Sequence, residues 1–277
     1  MNPLEAFLQQ YKEATRIAYR NRLRPFEELL LNDPDAIDWT VFERVANQKR
    51  WAPNTQRLAQ MAMRAYLREQ GITDHPMFEK CIKREASRKL TYLKEDEVYR
   101  LLSVCDPESV KGLRDQAMIR LFRDTWIRRF EMAGAEECNL DLEAREITVR
   151  AKGGDLHTTT FSPRTARWLK RWLEAKHKHY KQCPAIFCNV YTGKPLTANG
   201  VGTILKKLGW RANVKAPTHG FRRGGASDWA EQGGNPQLGM AHGGWKCART
   251  YTHYCKGAEL HAFDKIMWKE QLEDEDE

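Results

Sequence analysis

The chain has 277 residues, more than one ordinary domain of roughly 100–200 residues, and 46 Lys and Arg against 37 Asp and Glu give it a net charge of +9. Hydrophobic residues make up 41% and aromatic residues 10%, enough to build packed cores, which excludes a mainly disordered chain. No apolar run approaches the roughly 18 residues of a membrane span, and the opening MNPLEAFLQQYKEATR lacks the apolar stretch of a secretory signal. An intracellular, cytoplasmic, basic protein is expected. The last five residues, Glu273 to Glu277, are all acidic, so the remainder is more basic than the whole.

Tyr19, Leu23, Phe26 and Leu30 recur at helical spacing and predict a first helical segment, with Arg16, Arg20, Arg22 and Arg24 between them. A second helix is expected after Pro53-Asn54, with Asn54 as its cap. Leu58, Met61, Ala62, Ala65 and Tyr66 lie on one side, and Gly71 ends it. Arg57, Arg64 and Arg68 sit on or beside its other faces, where a solvated surface and a nucleic-acid contact are both open. The basic run Lys83 to Lys89 reads as a linker, and Thr91 to Val98 as the start of a new helix. The expected domains are therefore 1–88 and 89–277.

In the second domain, Ala117, Met118 and Leu121 mark a helix from Arg114 to Asp124, and the pattern continues through Arg128 to Glu137. Glu146 to Arg150 reads as a strand, Lys152 to Asp155 as a turn and Leu156 to Phe161 as the return strand, a small hairpin with a lysine at its tip. Trp168, Leu169, Trp172 and Leu173 stripe a helix from Arg164 to His179, and short helices with glycine-rich loops follow. The expected fold class is mainly α with a small β-sheet.

Several chemistries lack their motifs. The chain has no GxxxxGK[ST] loop for nucleotide phosphates, no HExxH and no acidic cluster suited to a two-metal site. Seven cysteines without an export signal argue against a disulfide framework. Cys183 and Cys188 are too far apart for a CxxC pair, and Cys247, His253 and Cys255 do not offer the two close ligand pairs of a usual zinc site. Thiols in ordinary packing are expected, with no metal and no cofactor. What remains is a set of arginines, histidines, tyrosines and one lysine that can bind and activate a phosphate. Thr218 is expected to cap a short helix on which His219 and Arg222, three apart, share a face. A helix N-terminus attracts anions, and a guanidinium adds a fork that matches two phosphate oxygens.

These positions together resemble the tyrosine recombinase (phage integrase) family, whose hallmark order is Arg, Lys, HxxR, His or Trp, then Tyr. Thr125 to Met132 is similar to the family's first arginine box; the arginine three before Glu131 is Arg128 rather than Arg129. Ala151-Lys152-Gly153 resembles the hairpin lysine, and Pro217 to Arg222 the HxxR box. Met240-Ala241-His242 resembles the LGH box, and Arg249 to His253 the tyrosine box. The family's tyrosine lies nine residues after the LGH histidine, which selects Tyr251 over Tyr254, three residues on. Thr15 to Phe26 is similar to the family's N-terminal core-binding domain, Thr91 to Leu102 to the opening helix of its catalytic domain, and Thr192 to Thr197 to the loop and helix before HxxR. Trp126 stands where the family has glycine, Arg223 where many members have histidine, and Ala241 where LGH has glycine.

The resemblance implies a helical core-binding domain and a catalytic domain that hold DNA between them, and transesterification of a DNA phosphodiester without metal or ATP. The implied catalytic set is Arg128, Lys152, His219, Arg222, His242 and Tyr251. Tyr251 would attack phosphorus, leaving a 3′-phosphotyrosyl link and a free 5′-hydroxyl. Arg128 and Arg222 would clamp the phosphate, Lys152 would protonate the leaving oxygen, His219 would assist proton transfer, His242 would bond the phosphate, and Glu131 would orient an arginine. The implied partners are double-stranded DNA at specific sites and further copies of the chain, a dimer per site and a homotetramer on two duplexes, with accessory proteins also allowed. A C-terminal helix bearing Leu260, Phe263, Ile266 and Met267 would pack either on its own protomer or on a neighbour. Three other readings stay open on the residues alone: a type IB topoisomerase, a non-catalytic DNA-binding protein on the same fold, and a metal-free phosphodiesterase.

Overall fold

The computed structural model describes residues 2–83, 92–151 and 153–255. The chain divides into two compact units, Met1–Lys89 and Leu90–Glu277. Lys152, most of the basic linker and the expected C-terminal helix lie outside the described residues.

The first unit is helical: α1 (Pro3–Gln9), α2 (Glu13–Leu23), α3 (Glu27–Asn32), α4 (Trp39–Gln48), α5 (Pro53–Glu69) and α6 (Pro76–Glu79). The first predicted helix is in fact two, α2 and α3, joined by a 3-10 turn at Arg24–Phe26 where Pro25 withholds an amide donor. Leu23, Phe26 and Leu30 still meet in one core with Phe7, Phe42, Met63 and Tyr66. On α5 the buried stripe is Ala59, Ala62, Met63, Tyr66 and Leu67, and Met61 faces solvent. The helix begins at Pro53 with Ala52 at the cap position, one turn-step earlier than an Asn54 cap requires. Gly71 follows its end at φ +77°, a left-handed conformation that favours glycine.

Two of the α5 polar residues are structural. Arg64 Nε donates to the Met77 carbonyl at 2.6 Å, and its Nη2 donates to the Phe78 carbonyl at 3.2 Å. Gln60 Nε2 reaches the Met77 carbonyl at 3.2 Å, and its Oε1 accepts from the Ile82 amide at 3.0 Å. Arg68 instead lies over the Phe78 ring at 5.0 Å, and Arg22 over Trp51 at 5.6 Å.

The second unit contains α7 (Glu95–Ser103), α8 (Val110–Thr125), α9 (Arg129–Ala133), β1 (Leu140–Asp141), β2 (Glu146–Arg150), β3 (Leu156–Thr160), α10 (Pro163–Tyr180), α11 (Ala198–Arg211), α12 (Thr218–Glu231), α13 (Pro236–Gly243) and α14 (Ala248–Cys255). Helices α11 and α12 have 14 residues each, longer than the short helices expected there. The sheet is antiparallel in the order β1-β2-β3, with Val149 opposite His157 and Ile147 opposite both Leu140 and Thr159. Its first strand, two residues long, has no alternating pattern to announce it. In β2, Ile147 and Val149 point to the core while their neighbours face outward, the period-two alternation of a half-buried strand.

Helix α8 is the axis of this unit. It is buried on several faces, packing on α7, α10 and α12, as expected of a helix lodged inside a core. Its Asp124 carboxylate accepts from the Ser162 amide at 2.9 Å and the Thr165 hydroxyl at 2.6 Å, tying its C-terminal end to the start of α10. Trp172 of α10 is fully buried and donates to the Ile186 carbonyl at 2.8 Å. Among the described residues, no helix is long and apolar enough to cross a membrane.

Gly112 lets α8 start where it does, because a Cβ there would sit 1.8 Å from the Asp106 carbonyl oxygen, a backbone atom. Gly112→Ala should therefore destabilise the protein by about 1–3 kcal/mol, read as a lower midpoint in urea unfolding; an unchanged midpoint would contradict this packing.

Candidate active site

Trp126 ends α8 in a left-handed conformation, φ +53°, which explains why glycine suits this position. A non-glycine residue there costs roughly 1–3 kcal/mol, so surrounding contacts must hold it. The indole packs edge-on to His242 at 4.6 Å between ring centres and lies 6.1 Å from Trp245. It also occupies the space above Gly225, where a Cβ would fall 1.9 Å from the indole nitrogen. This turn delivers Arg128 in extended conformation at the cap position of α9. Glu131 fixes that residue twice, accepting from the Arg128 amide at 2.5 Å and from its Nη1 at 2.7 Å. The carboxylate is itself buried at 3% exposure, so it orients the arginine rather than decorating a surface. Arg129 turns away toward α11, its guanidinium lying against Gly202.

Helix α12 starts at Thr218 with Pro217 in the cap position and no side-chain cap; Thr218 is the first helical residue, not the cap. Arg222 is buried at 1% exposure. Its Nη1 donates to the Trp126 carbonyl at 2.6 Å, and its guanidinium lies 3.6 Å over the Trp245 ring. Nε and Nη2 are buried with no hydrogen-bond partner among the described residues. Burial, then the neighbouring Arg128 charge, lower its pKa to about 10, against the opposing pull of Glu131 and Tyr254; it stays charged at neutral pH. His219, one helical turn before it, is pushed below its ordinary value by burial and by Arg223, Arg222, Arg128 and Arg129. The three sequence-predicted residues Arg128, His219 and Arg222 therefore share one electrostatic neighbourhood. A guanidinium with unpaired buried donors beside a second guanidinium is a poor arrangement until an oxyanion enters.

The other two described members of the expected set, His242 and Tyr251, stand in different surroundings. His242 sits on α13, and both ring nitrogens are taken by protein: Nε2 donates to the Asp124 carbonyl at 2.7 Å, and Nδ1 lies 3.2 Å from the Thr159 hydroxyl. An imidazole that donates from Nε2 and accepts at Nδ1 satisfies both bonds. Tyr251 is buried at 3% exposure, and its hydroxyl lies against α13, where a Cβ on Gly239 would meet it at 2.6 Å. Tyr254, on the same helix α14, is the tyrosine at the arginines. Its phenol bears on Arg222, and its ring lies 5.6 Å from the Arg223 guanidinium and 5.2 Å from Trp245.

Trp245 is the residue that sequence reasoning missed. It stacks on Arg222 and packs edge-on against both Tyr251 and Tyr254, with ring centres 5.3 and 5.2 Å away. The interval from Trp245 to Tyr254 is nine residues, the same as from His242 to Tyr251. Gly244 precedes Trp245, whereas Ala241 precedes His242. Gly244 is needed there: it ends α13 at φ +64°, and a Cβ would meet the His157 ring at 3.0 Å. Among the described residues, no group of three or more His, Cys, Asp and Glu stands where it could hold a metal ion.

Residues 91–261 match the phage integrase family, and the chain belongs to that family. The tyrosine recombinase XerC of Bacillus licheniformis is 25% identical over 271 residues, covering 90% of this chain and 88% of the relative. XerC 2 of Ralstonia nicotianae is 31% identical over 169 residues, covering 58% of this chain and 48% of that one. The fold is similar to the Tn1549 transposon integrase in complex with transposon right end DNA, with TM-score 0.73 and 17% identity over 97% of this chain and 99% of the other. It is also similar to the lambda integrase tetramer bound to a Holliday junction, with TM-score 0.72 and 15% identity over 92% and 77% of the two chains.

Gly225→Ala should displace Trp126 and with it the Arg128 turn, lowering stability by about 1–3 kcal/mol in thermal or urea unfolding; wild-type stability would contradict the packing. Because His219 is held below 6.5, DNA cleavage that needs it neutral should stay flat above pH 6.5 and fall only below it. Arg223→Gln removes the largest of the charges that lower it and should move that acidic limb upward; a limb above pH 6.5 in the wild type would contradict the assignment.

Proposed function

We infer that this chain is a site-specific DNA recombinase that breaks and rejoins strands through a covalent tyrosine intermediate. Its chemical groups would be Arg128, Lys152, His219, Arg222 and Tyr254. The observation that carries this is Arg222, buried beside Arg128, His219 and Tyr254, with Nε and Nη2 lacking a hydrogen-bond partner of normal geometry among the described residues. That arrangement supports binding of one tetrahedral phosphate within reach of one phenol.

In the first step the Tyr254 oxygen attacks phosphorus, the bond to the 5′ oxygen breaks, and a 3′-phosphotyrosyl link forms. The phosphodiester bond energy is kept in that link, so no nucleotide hydrolysis is needed to reseal it. Negative charge grows on the non-bridging oxygens in the pentavalent transition state, and Arg128 and Arg222 face it as fixed cations. Glu131 holds Arg128 in place, and Trp245 supports the Arg222 plane from below by a cation–π contact. His219, whose pKa is lowered by burial and then by the surrounding arginines, can accept the phenolic proton. Lys152 protonates the leaving 5′ oxygen. Attack by a strand from a second duplex then reverses the chemistry.

Double-stranded DNA at a specific site is the substrate, with a dimer on each site and a tetramer across two. Residues 1–88 would serve as the core-binding domain and 89–277 as the catalytic domain. Arg129, Lys206 and Lys215 line one cavity with Thr218 at the start of α12, and their charge supports contacts to phosphates, which position DNA without reading its sequence. A DNA-associated place inside the cell belongs to the same proposal.

Covalent trapping tests this on a nicked duplex recovered by binding selection, resolved on a denaturing gel in the presence of EDTA. The wild type and Tyr251→Phe should form an adduct, and Tyr254→Phe should not. Arg222→Ala should slow its formation by about 10²–10³. An adduct lost only in Tyr251→Phe would return the nucleophile to that residue. Relaxation of any plasmid regardless of sequence would favour a topoisomerase.

A further inference from the structure

The turn between β2 and β3 is closed by its own bonds. The Ala151 amide donates to the Asp155 carbonyl at 2.8 Å, and the Gly154 amide to the Ala151 carbonyl at 3.0 Å. Gly153 and Gly154 have φ of +113° and +104°, a backbone that resists bulky substitution but has little side-chain packing to fix its direction. What fixes that direction comes from the far side of the molecule. Asp155, His157 and Thr159 are alternate residues and so share one face of the hairpin, and all three bond to residues 242–246. Lys246 Nζ pairs with the Asp155 carboxylate. His157 Nε2 donates to the His242 carbonyl at 3.0 Å, and its ring covers Gly244. The Thr159 hydroxyl lies 3.2 Å from His242 Nδ1.

We propose that Asp155, His157 and Lys246 are positioning residues that latch the lysine hairpin to the segment leading into the tyrosine helix. This rests on the reading of Lys152 as the general acid and Tyr254 as the nucleophile. The bonded segment holds Trp245, which supports Arg222, and runs directly into α14. A hairpin that swings away must therefore break contacts with the segment that sets the arginine and the tyrosine. The strands that flank Lys152 and the segment that leads to Tyr254 are thus held to one another. The exposed Asp155–Lys246 pair contributes little by itself, so the half-buried His157 is the main fastening, and the ion pair trims the angle of the tip. The Gly244 position shows the closeness on the other side, since a Cβ there would sit 3.0 Å from the His157 ring.

The test separates placement of the acid from general damage. A substrate whose bridging 5′ oxygen is replaced by sulfur leaves as a thiolate, which needs no proton. Single-turnover cleavage of the oxygen and sulfur duplexes would be compared for the wild type, Lys152→Ala, His157→Ala, His157→Gln and Asp155→Lys with and without Lys246→Asp. His157→Ala should slow the oxygen substrate by about 10–100-fold, the scale of a misplaced catalytic group, yet cleave the sulfur substrate within about threefold of wild type. His157→Gln, whose amide can donate from nearly the same place, should recover most of the loss. Asp155→Lys should be slower on oxygen alone, and Lys246→Asp should restore it, a result that stands even if His157→Ala fails to fold. Equal slowing on both substrates, or no slowing on oxygen, overturns the latch while Lys152→Ala remains sulfur-rescued. If Lys152→Ala is not rescued by sulfur, the general-acid reading fails and the latch falls with it.

Discussion

A guanidinium held at 1% exposure, with two donors that lack a hydrogen-bond partner of normal geometry among the described residues, the Tyr254 phenol against it and a second arginine beside it, is the constraint around which the catalytic unit is arranged. Arginine keeps its charge where lysine would give it up, so the fold must tolerate the charge rather than remove it. It does so on three sides. The Trp126 carbonyl takes one donor, the Trp245 ring takes the face, and Glu131 balances the neighbouring Arg128. The remaining edges stay open in a place too dry for them to be at rest. A phosphate that enters there is bound by groups already aligned, which is the source of electrostatic catalysis in sites of this kind.

Each support draws on a different part of the chain, and this explains the small aromatic core of Trp126, Trp245 and Tyr251. Trp126 offers its carbonyl to Arg222 only because its backbone turns left-handed, and its side chain needs the space over Gly225 and the edge of His242 to hold that turn. His242 in turn bonds to Asp124 and Thr159, so one imidazole joins the end of α8, the strand β3 and helix α13. Tyr251 fills the space between α13 and Trp245. His242 and Tyr251, through these contacts, pack against the residues that surround Arg222.

The mainly helical class, the hairpin and the HxxR pair were legible because each rests on a local rule: helical spacing of apolar residues, a strand–turn–strand pattern for β2 and β3, and three-residue spacing on α12. What was not legible depended on contacts far apart in the chain. Spacing gave two tyrosine registers of equal length, and only the tertiary fold decides which phenol faces the arginines. The α5 stripe was misplaced by one residue because its neighbours, not its own periodicity, choose which of Met61 and Met63 is covered. Arg64 looked like a surface cation, yet the carbonyls of Met77 and Phe78 occupy it. The strand β1, two residues long, exists only by pairing with β2.

The central claim is that the arginine pair works with Tyr254 rather than Tyr251. The most direct measurement is to trap the covalent complex, digest both protein and DNA, and locate the nucleotide remnant by tandem mass spectrometry. The remnant should sit on Tyr254, on the fragment ions that exclude Tyr251. A remnant on Tyr251 would mean that α14 turns over or unwinds to bring a buried hydroxyl to the phosphate, and the arrangement described for Arg222, Trp245 and Tyr254 would not be the one that cuts DNA.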